Sequence, residues 1–88
     1  LYNNKDNKMN KHIIQYNVFG RAKVGPNDYS CQAVITLEVF GENREEARKN
    51  GKNSAKSMAL ELLIDDVRKK HDVGNNSIEI TRINVSDT

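Results

Sequence analysis

The sequence has little of what several classes of protein require. Its 88 residues include a single cysteine, Cys31, which excludes an intramolecular disulfide framework. No apolar run approaches the ~18 residues that a membrane span needs, so we expect neither a membrane span nor a signal peptide. A chain of this size buries only about 60% of its unfolded surface, which leaves little room for a large internal active site. We therefore predict an intracellular domain, in the nucleus or the cytoplasm.

Groups arranged for catalysis are also scarce. Asp65 and Asp66 are adjacent in a helical pattern, so they cannot both face one metal ion, and we expect them to act as solvated surface charges. His12, His71 and Cys31 lack the spacing of zinc ligands. We expect Cys31 to pack as a small core residue. The sequence thus predicts a binding domain rather than an enzyme, with no cofactor and no metal.

The chain divides by composition into three parts. Residues 1–11 are rich in Asn and Lys and are expected to form a frayed or truncated leading segment. Residues 12–70 carry the apolar periodicities of a folded domain. Residues 71–88 form a C-terminal extension, for which a disordered linker is the favoured interpretation. Its spaced aliphatic residues leave a short fourth strand as the alternative.

Two alternating patterns predict a hairpin. Ile14, Tyr16 and Val18 alternate with polar residues over 12–23, which is typical of a half-buried strand. Residues 24–28 have turn chemistry, since Gly25 can take a positive φ and Pro26 presets its own. A second strand follows over 29–35. We predict a third strand over 36–46, although no Asn-Gly or Gly-Gly pair marks a hairpin before it.

A helical period begins near Ala47 and continues to about Lys70. Asn43 offers an earlier start, because Asn43 to Glu46 has the N-x-x-E form of a capping box. The residues predicted to face the sheet are Ala47, Gly51, Ala55, Met58, Ala59, Leu62, Leu63 and Val67. One amphipathic helix can cover one face of a small sheet. The predicted fold class is α+β, in the order β-β-β-α, a three-stranded antiparallel sheet covered on one face by a long C-terminal helix.

The helix carries a cationic cluster near its expected start. At about 100° per residue, Arg48, Lys49, Lys52 and Lys56 share one quadrant of the helix. Neither Lys52 nor Lys56 has an acidic residue four positions away. Cations in a first helical turn are disfavoured by the macrodipole by a few tenths of a kcal/mol each. A solvated face is the ordinary explanation of such charges, but this placement favours an anionic partner.

These residues also carry a family resemblance. RKNGK (48–52) resembles the K-K-x-A/G-K motif of double-stranded-RNA-binding domains, and GKNSAKSMALELL (51–63) is similar to the A-K-x-x-A-A-x-x-A-L pattern of their last helix. Tyr29 falls where the family has an aromatic residue, and residues 25–28 fall on its G-P-x-H loop. The resemblance covers roughly residues 12–66. The V-G-P-N loop most resembles the variant domain of fungal ribonuclease III and budding-yeast Dicer enzymes.

The resemblance implies the order α-β-β-β-α with a short or degenerate first helix, of which residues 1–11 would be the remnant. It further implies binding of double-stranded RNA by A-form shape and phosphate contacts, largely independent of sequence, as the substrate-binding domain of a ribonuclease III or Dicer-type protein. Asp28 departs from the family's loop histidine, and Ala47 from its usual Ser or Thr cap. The RNA-binding residues that it implies are Arg48, Lys49, Lys52, Lys56, Lys23, Gly25, Pro26 and Asn27.

The alternative is a protein–protein interaction module of the same fold that does not bind RNA. Dimerisation or docking would use the apolar residues of 78–85 or a sheet edge. The partner would be another protein, or a second copy brought together through the parent chain.

Overall fold

The computed structural model describes residues 9–73 and 77–86. Two long strands, β1 (Asn10–Val24) and β2 (Asn27–Gly41), form an antiparallel hairpin that pairs without a break from Asn10 and Gly41 to Val24 and Asn27. At ~3.3 Å per residue each strand is about 50 Å long. The turn between them contains Gly25 at a φ of 59°, as its sequence predicted.

The separate third strand predicted over 36–46 is wrong. Ile35, Leu37 and Val39 continue the alternation of Cys31 and Ala33, and no turn residue interrupts them, so β2 runs straight through to Gly41. The chain then enters the helix directly. The order of the described elements is β-β-α-β and not β-β-β-α, so the third strand that the family resemblance implies before the helix is also wrong. The first-helix remnant expected in residues 1–11 falls mostly outside the described residues.

The long helix, α1 (Arg44–His71), begins one turn earlier than its apolar period predicted. Asn43 is the N-cap, and its side-chain oxygen accepts a hydrogen bond from the backbone N–H of Glu46 at 2.9 Å. The Glu46 carboxylate in turn accepts from the backbone N–H of Glu42, so both ends of the N-x-x-E pattern bond backbone donors. The start proposed at Asn43 is therefore confirmed, and Ala47 lies inside the helix.

We expect Asn43→Ala to destabilise the fold by about 1 kcal/mol, because the N–H of Glu46 loses its acceptor at the helix start. Urea denaturation followed by circular dichroism measures this loss. Asn53→Ala, at an exposed position inside the helix, is the control and should change stability by less than about 0.5 kcal/mol. Equal effects of the two substitutions would contradict the assigned cap.

The third strand of the sheet comes from the C-terminal extension. β3 (Glu79–Ser86) pairs antiparallel with the other edge of β1, which gives the order β2-β1-β3, so the linker expected here is wrong over these residues. Arg21 pairs with Arg82 and Ala22 with Ile80, which leaves Thr81 as an extra residue. This bulge lets Ile80 and Ile83 share a face although three positions separate them. The strand thus lacks a period-2 pattern in its sequence.

The helix covers one face of the sheet through a row of small and medium residues at every fourth position. Glycine and alanine in this row let the helix approach closely, and a Cβ on Gly51 would lie 2.5 Å from the Tyr16 hydroxyl oxygen. Successive residues of such a row turn by about 40° around the helix axis, which suits the twisted surface of a hairpin. The buried row consists of Ala47, Gly51, Ala55, Ala59, Leu63 and Val67.

Two residues predicted to face the sheet do not. Met58 is 53% exposed and Leu62 is 44% exposed, because the contact follows positions four apart and leaves out those three apart. The sheet side of the core consists of Ile14, Tyr16, Val18, Ala22, Val24, Cys31, Ile35 and Val39. The opposite face of the sheet is not covered by α1. Four exposed apolar side chains lie there by strand alternation, namely Ile13, Phe19, Val34 and Phe40.

Candidate nucleic-acid interface

The predicted cationic residues lie in the first half of α1 but not in its first turn. The first turn contains Glu45 and Glu46, whose charges suit the positive end of the helix. Arg48 and Lys49 follow one turn later. The expectation that the helix macrodipole disfavours Arg48 and Lys49 is therefore wrong.

Four cations lie in a row at successive fourth positions of the helix, which we call the cationic row: Arg44, Arg48, Lys52 and Lys56. Each step advances about 6 Å along the helix, so the row extends over about 18 Å. Lys49 lies beside it and is exposed. The prediction from sequence missed Arg44, because it placed the helix start after that residue. The spacing of four from Arg48 was the signal that could have found it.

The cationic row lies next to the buried row, one residue further along the chain at each step. On the opposite side of the buried row, Asn50 donates to the backbone carbonyl of Phe40 at 2.9 Å. Asp66, on that same side, accepts from the backbone N–H of Gln32 at 2.9 Å. Both bonds tie α1 to the outer edge of β2. The cationic row therefore lies on the side of the helix that is turned away from this edge.

The members of the row differ in exposure. Arg44 and Lys56 are exposed, whereas Arg48 and Lys52 are half-buried. The backbone carbonyl of Arg48 accepts a hydrogen bond from the Tyr16 hydroxyl at 2.6 Å, which fixes this turn of the helix on β1. Within residues 9–73 and 77–86, the Nε of Arg48 and the Nε2 of His12 are buried without a hydrogen-bond partner. The exposed charge is thus concentrated on Arg44, Lys49 and Lys56.

The structure separates the two groups of residues that the resemblance implied would act together. The residues predicted to enter a minor groove are exposed at the turn end of the hairpin, namely Lys23, Gly25, Pro26 and Asn27. Gly51 packs on Val39 near the other end of the hairpin. About 40 Å of extended strand separates Val39 from Asn27. The cause is the missing strand between β2 and α1, since a further strand would have returned the chain to the turn before the helix began.

Near the turn, the structure has other contacts. The rings of Tyr29 and His71 stack with their centroids 3.8 Å apart, which fixes the end of α1 beside the start of β2. Asp28, which replaces the family's loop histidine, forms an exposed ion pair with Arg21 at 3.2 Å. The basic residues of the last helical turn suit the negative end of the macrodipole.

The two aspartates near the helix end make separate structural contacts. Asp66 binds the edge of β2 and pairs with Lys70 at 3.1 Å, so it is more than a solvated charge, while Asp65 lies 3.8 Å from Arg68.

Cys31 is buried, as predicted, and this burial raises the pKa of its thiol. The described residues contain no group of three or more His, Cys, Asp or Glu side chains placed to hold a metal ion. They also contain no helix long and apolar enough to cross a membrane.

Comparisons with known proteins add no family or relative to this geometry. The chain matches no protein-family model, no curated protein and no solved structure.

Proposed function

We propose that this chain binds double-stranded RNA through its phosphate backbone, largely independently of base sequence. The observation that carries the proposal is the cationic row, in which four positive side chains follow one another at ~6 Å steps along one side of α1. Lys52 and Lys56 have no acidic residue three or four positions away along the helix. Arg48 has Glu45 three positions before it, so the row carries an excess of positive charge along its side of the helix.

Double-helical RNA fits this arrangement better than a compact anion does. A row ~18 Å long exceeds the size of one phosphate group, so its natural ligand is a line of phosphates. The A-form major groove is deep and narrow, which brings the phosphates of its two strands close to each other. Exposed Lys49 and Lys56 can then contact phosphates on both sides of that groove, with half-buried Lys52 between them along the helix.

The proposal retains part of what the family resemblance implies. It keeps the phosphate contact by Arg48, Lys49, Lys52 and Lys56 and adds Arg44. Binding of this kind does not require the turn residues to enter a neighbouring minor groove. About 40 Å of β2 separates the turn from Val39, on which Gly51 of the helix packs. A role beside a ribonuclease III or Dicer-type catalytic domain remains compatible with a binding surface of this kind.

Titration against a 20-base-pair RNA duplex and the DNA duplex of the same sequence, at several salt concentrations, tests the proposal. We expect tighter binding to the RNA, and a plot of log K against log salt with a slope of roughly −3, since each neutralised phosphate contributes about −0.9 for a duplex. Lys49→Gln with Lys56→Gln should weaken binding to every duplex sequence and flatten this slope by about one to two units.

The matched control is Arg68→Gln with Lys69→Gln, which removes the same charge from the other end of α1. This pair should leave the slope within about half a unit of the unchanged protein if only the row contacts phosphate. Equal flattening by both pairs would show a general charge effect and refute the row as the interface. Absence of binding to either duplex would refute the proposed function.

A protein-interaction module is the second candidate, and one observation favours it. Ile13, Val34 and Phe40 are each more than half exposed on the sheet face that α1 leaves open. Exposed apolar patches commonly mark contacts with other proteins. Self-association detected by light scattering and abolished by Ile13→Ser with Phe40→Ser, together with no RNA binding, would favour this candidate.

A further inference from the structure

The open face of the sheet carries an aromatic side chain at its centre. Phe19 belongs to β1, the middle strand, and is 48% exposed. Gln32 of β2 and Asn84 of β3 lie directly opposite it in the two registers. Side chains opposite one another in antiparallel strands lie about 5 Å apart. Two carboxamides therefore flank the ring, each with both donor and acceptor groups.

The charges next to Phe19 are positive. Arg21 and Arg82 are direct cross-strand partners, and like charges in that position repel each other. Arg21 has Asp28 as its ion-pair partner at 3.2 Å, and Arg82 has no ion pair within the described part of the chain. An anion placed between the two guanidinium groups would remove this repulsion.

A cavity joins these side chains into one site. It has a volume of about 270 Å³, and its lining includes Phe19, Arg21, Gln32, Arg82 and Asn84 of the sheet together with Lys70 of α1. No acidic side chain lines it. This volume is slightly below the ~300–1,000 Å³ of ordinary small-molecule pockets, so it suits a ligand of about the size of one nucleotide.

From this combination we infer that the open face binds an unpaired nucleotide of a single-stranded RNA. A base would stack on the exposed ring of Phe19, and its edge would bond the carboxamides of Gln32 and Asn84. Its phosphate would lie between Arg21 and Arg82. Aromatic stacking with charge contacts to the backbone is the general way in which proteins bind single strands. The cavity includes Lys70 from the last turn of α1 but no residue of the cationic row, so the site is separate from that row and does not depend on the proposed duplex binding.

Fluorescence anisotropy with a labelled ten-nucleotide single-stranded RNA tests the inference. Phe19→Ala should weaken binding by about 5- to 100-fold, the range that loss of one base stack gives. Phe19→Tyr keeps an aromatic face and should retain binding within about threefold. Phe40→Ala is the matched control, since Phe40 is 54% exposed on the same face but does not line the cavity. It should have little effect.

Further variants distinguish binding of a single strand at this site from binding of a duplex at the cationic row. Arg82→Gln should flatten the salt dependence of single-strand binding by about one unit. Phe19→Ala should leave duplex binding unchanged, and Lys49→Gln with Lys56→Gln should leave the effect of Phe19→Ala unchanged. Equal losses for Phe19→Ala and Phe40→Ala would overturn the inference, as would failure of the unchanged protein to bind the single strand. Equally tight binding of a free nucleoside monophosphate would overturn the assignment to a strand.

Discussion

Gly51→Ala is expected to destabilise the protein by about 2 kcal/mol, although alanine is the better helix former. The gain in helix propensity is about 1 kcal/mol. Against it, the new methyl group would lie 2.5 Å from the Tyr16 hydroxyl oxygen and 2.7 Å from a methyl group of Val39. Overpacking of this kind costs about 1–3 kcal/mol, and displacing Tyr16 also breaks its bond to the Arg48 carbonyl at a cost of about 1 kcal/mol. Urea denaturation measures the balance.

The substitution Ser54→Ala is the control for this prediction. Ser54 lies three residues further along α1 and is exposed, so Ser54→Ala should stabilise the helix by a few tenths of a kcal/mol. The motif that residues 48–52 resemble accepts either Ala or Gly at position 51. A stability gain of about 1 kcal/mol for Gly51→Ala would therefore contradict the close packing of α1 on Tyr16 and favour a packing in which this position is open.

Local patterns in the sequence predicted the elements better than their order. The alternation of 12–23, the turn at Gly25 and the capping box at Asn43 each depend on neighbouring residues, and the structure confirms them. One long strand and two short strands have the same alternation, however. Only a turn signal could have divided 29–41, and none is present there. The third strand was hidden for the opposite reason, since the bulge at Thr81 removes the alternation from its sequence.

The candidate sites show the same limit. The grouping of Arg48, Lys52 and Lys56 follows from helical spacing, and the helix does place them in one row. Their distance from the turn residues depends on the strand order, which local spacing does not determine. The alternation that predicted the first strand is carried by its apolar face, and Phe19 lies on the other face, so the sequence pattern did not identify it. Its position among Gln15, Asn17 and Arg21, on the polar face, was a signal in the sequence that an aromatic side chain would be exposed.

Removal of residues 77–88 is expected to lower the free energy of unfolding by at least ~3 kcal/mol. The deletion takes away β3, whose half-buried Ile80, Ile83 and Val85 pack against the core at roughly 1 kcal/mol each, and it exposes buried Val18. The loss is at least ~3 kcal/mol before the ladder between β1 and β3 is counted. An 88-residue domain has a total stability of roughly 4–13 kcal/mol, so a loss of this size is a large fraction of it. Circular dichroism and thermal melting measure the outcome.

Point substitutions show whether this effect comes from packing. Ile83 lies on the covered face opposite Gly20, and Ile83→Ser should cost about 1–2 kcal/mol through lost apolar burial. Asn84→Ser, at the next residue but on the open face, should change stability by less than about 0.5 kcal/mol. A truncated chain that melts like the full one would mean that the sheet is complete without β3 and that the extension is a linker. Loss of stability in Ile83→Ser but not in Asn84→Ser would instead show that the extension is part of the folded domain, held there by its inward side chains.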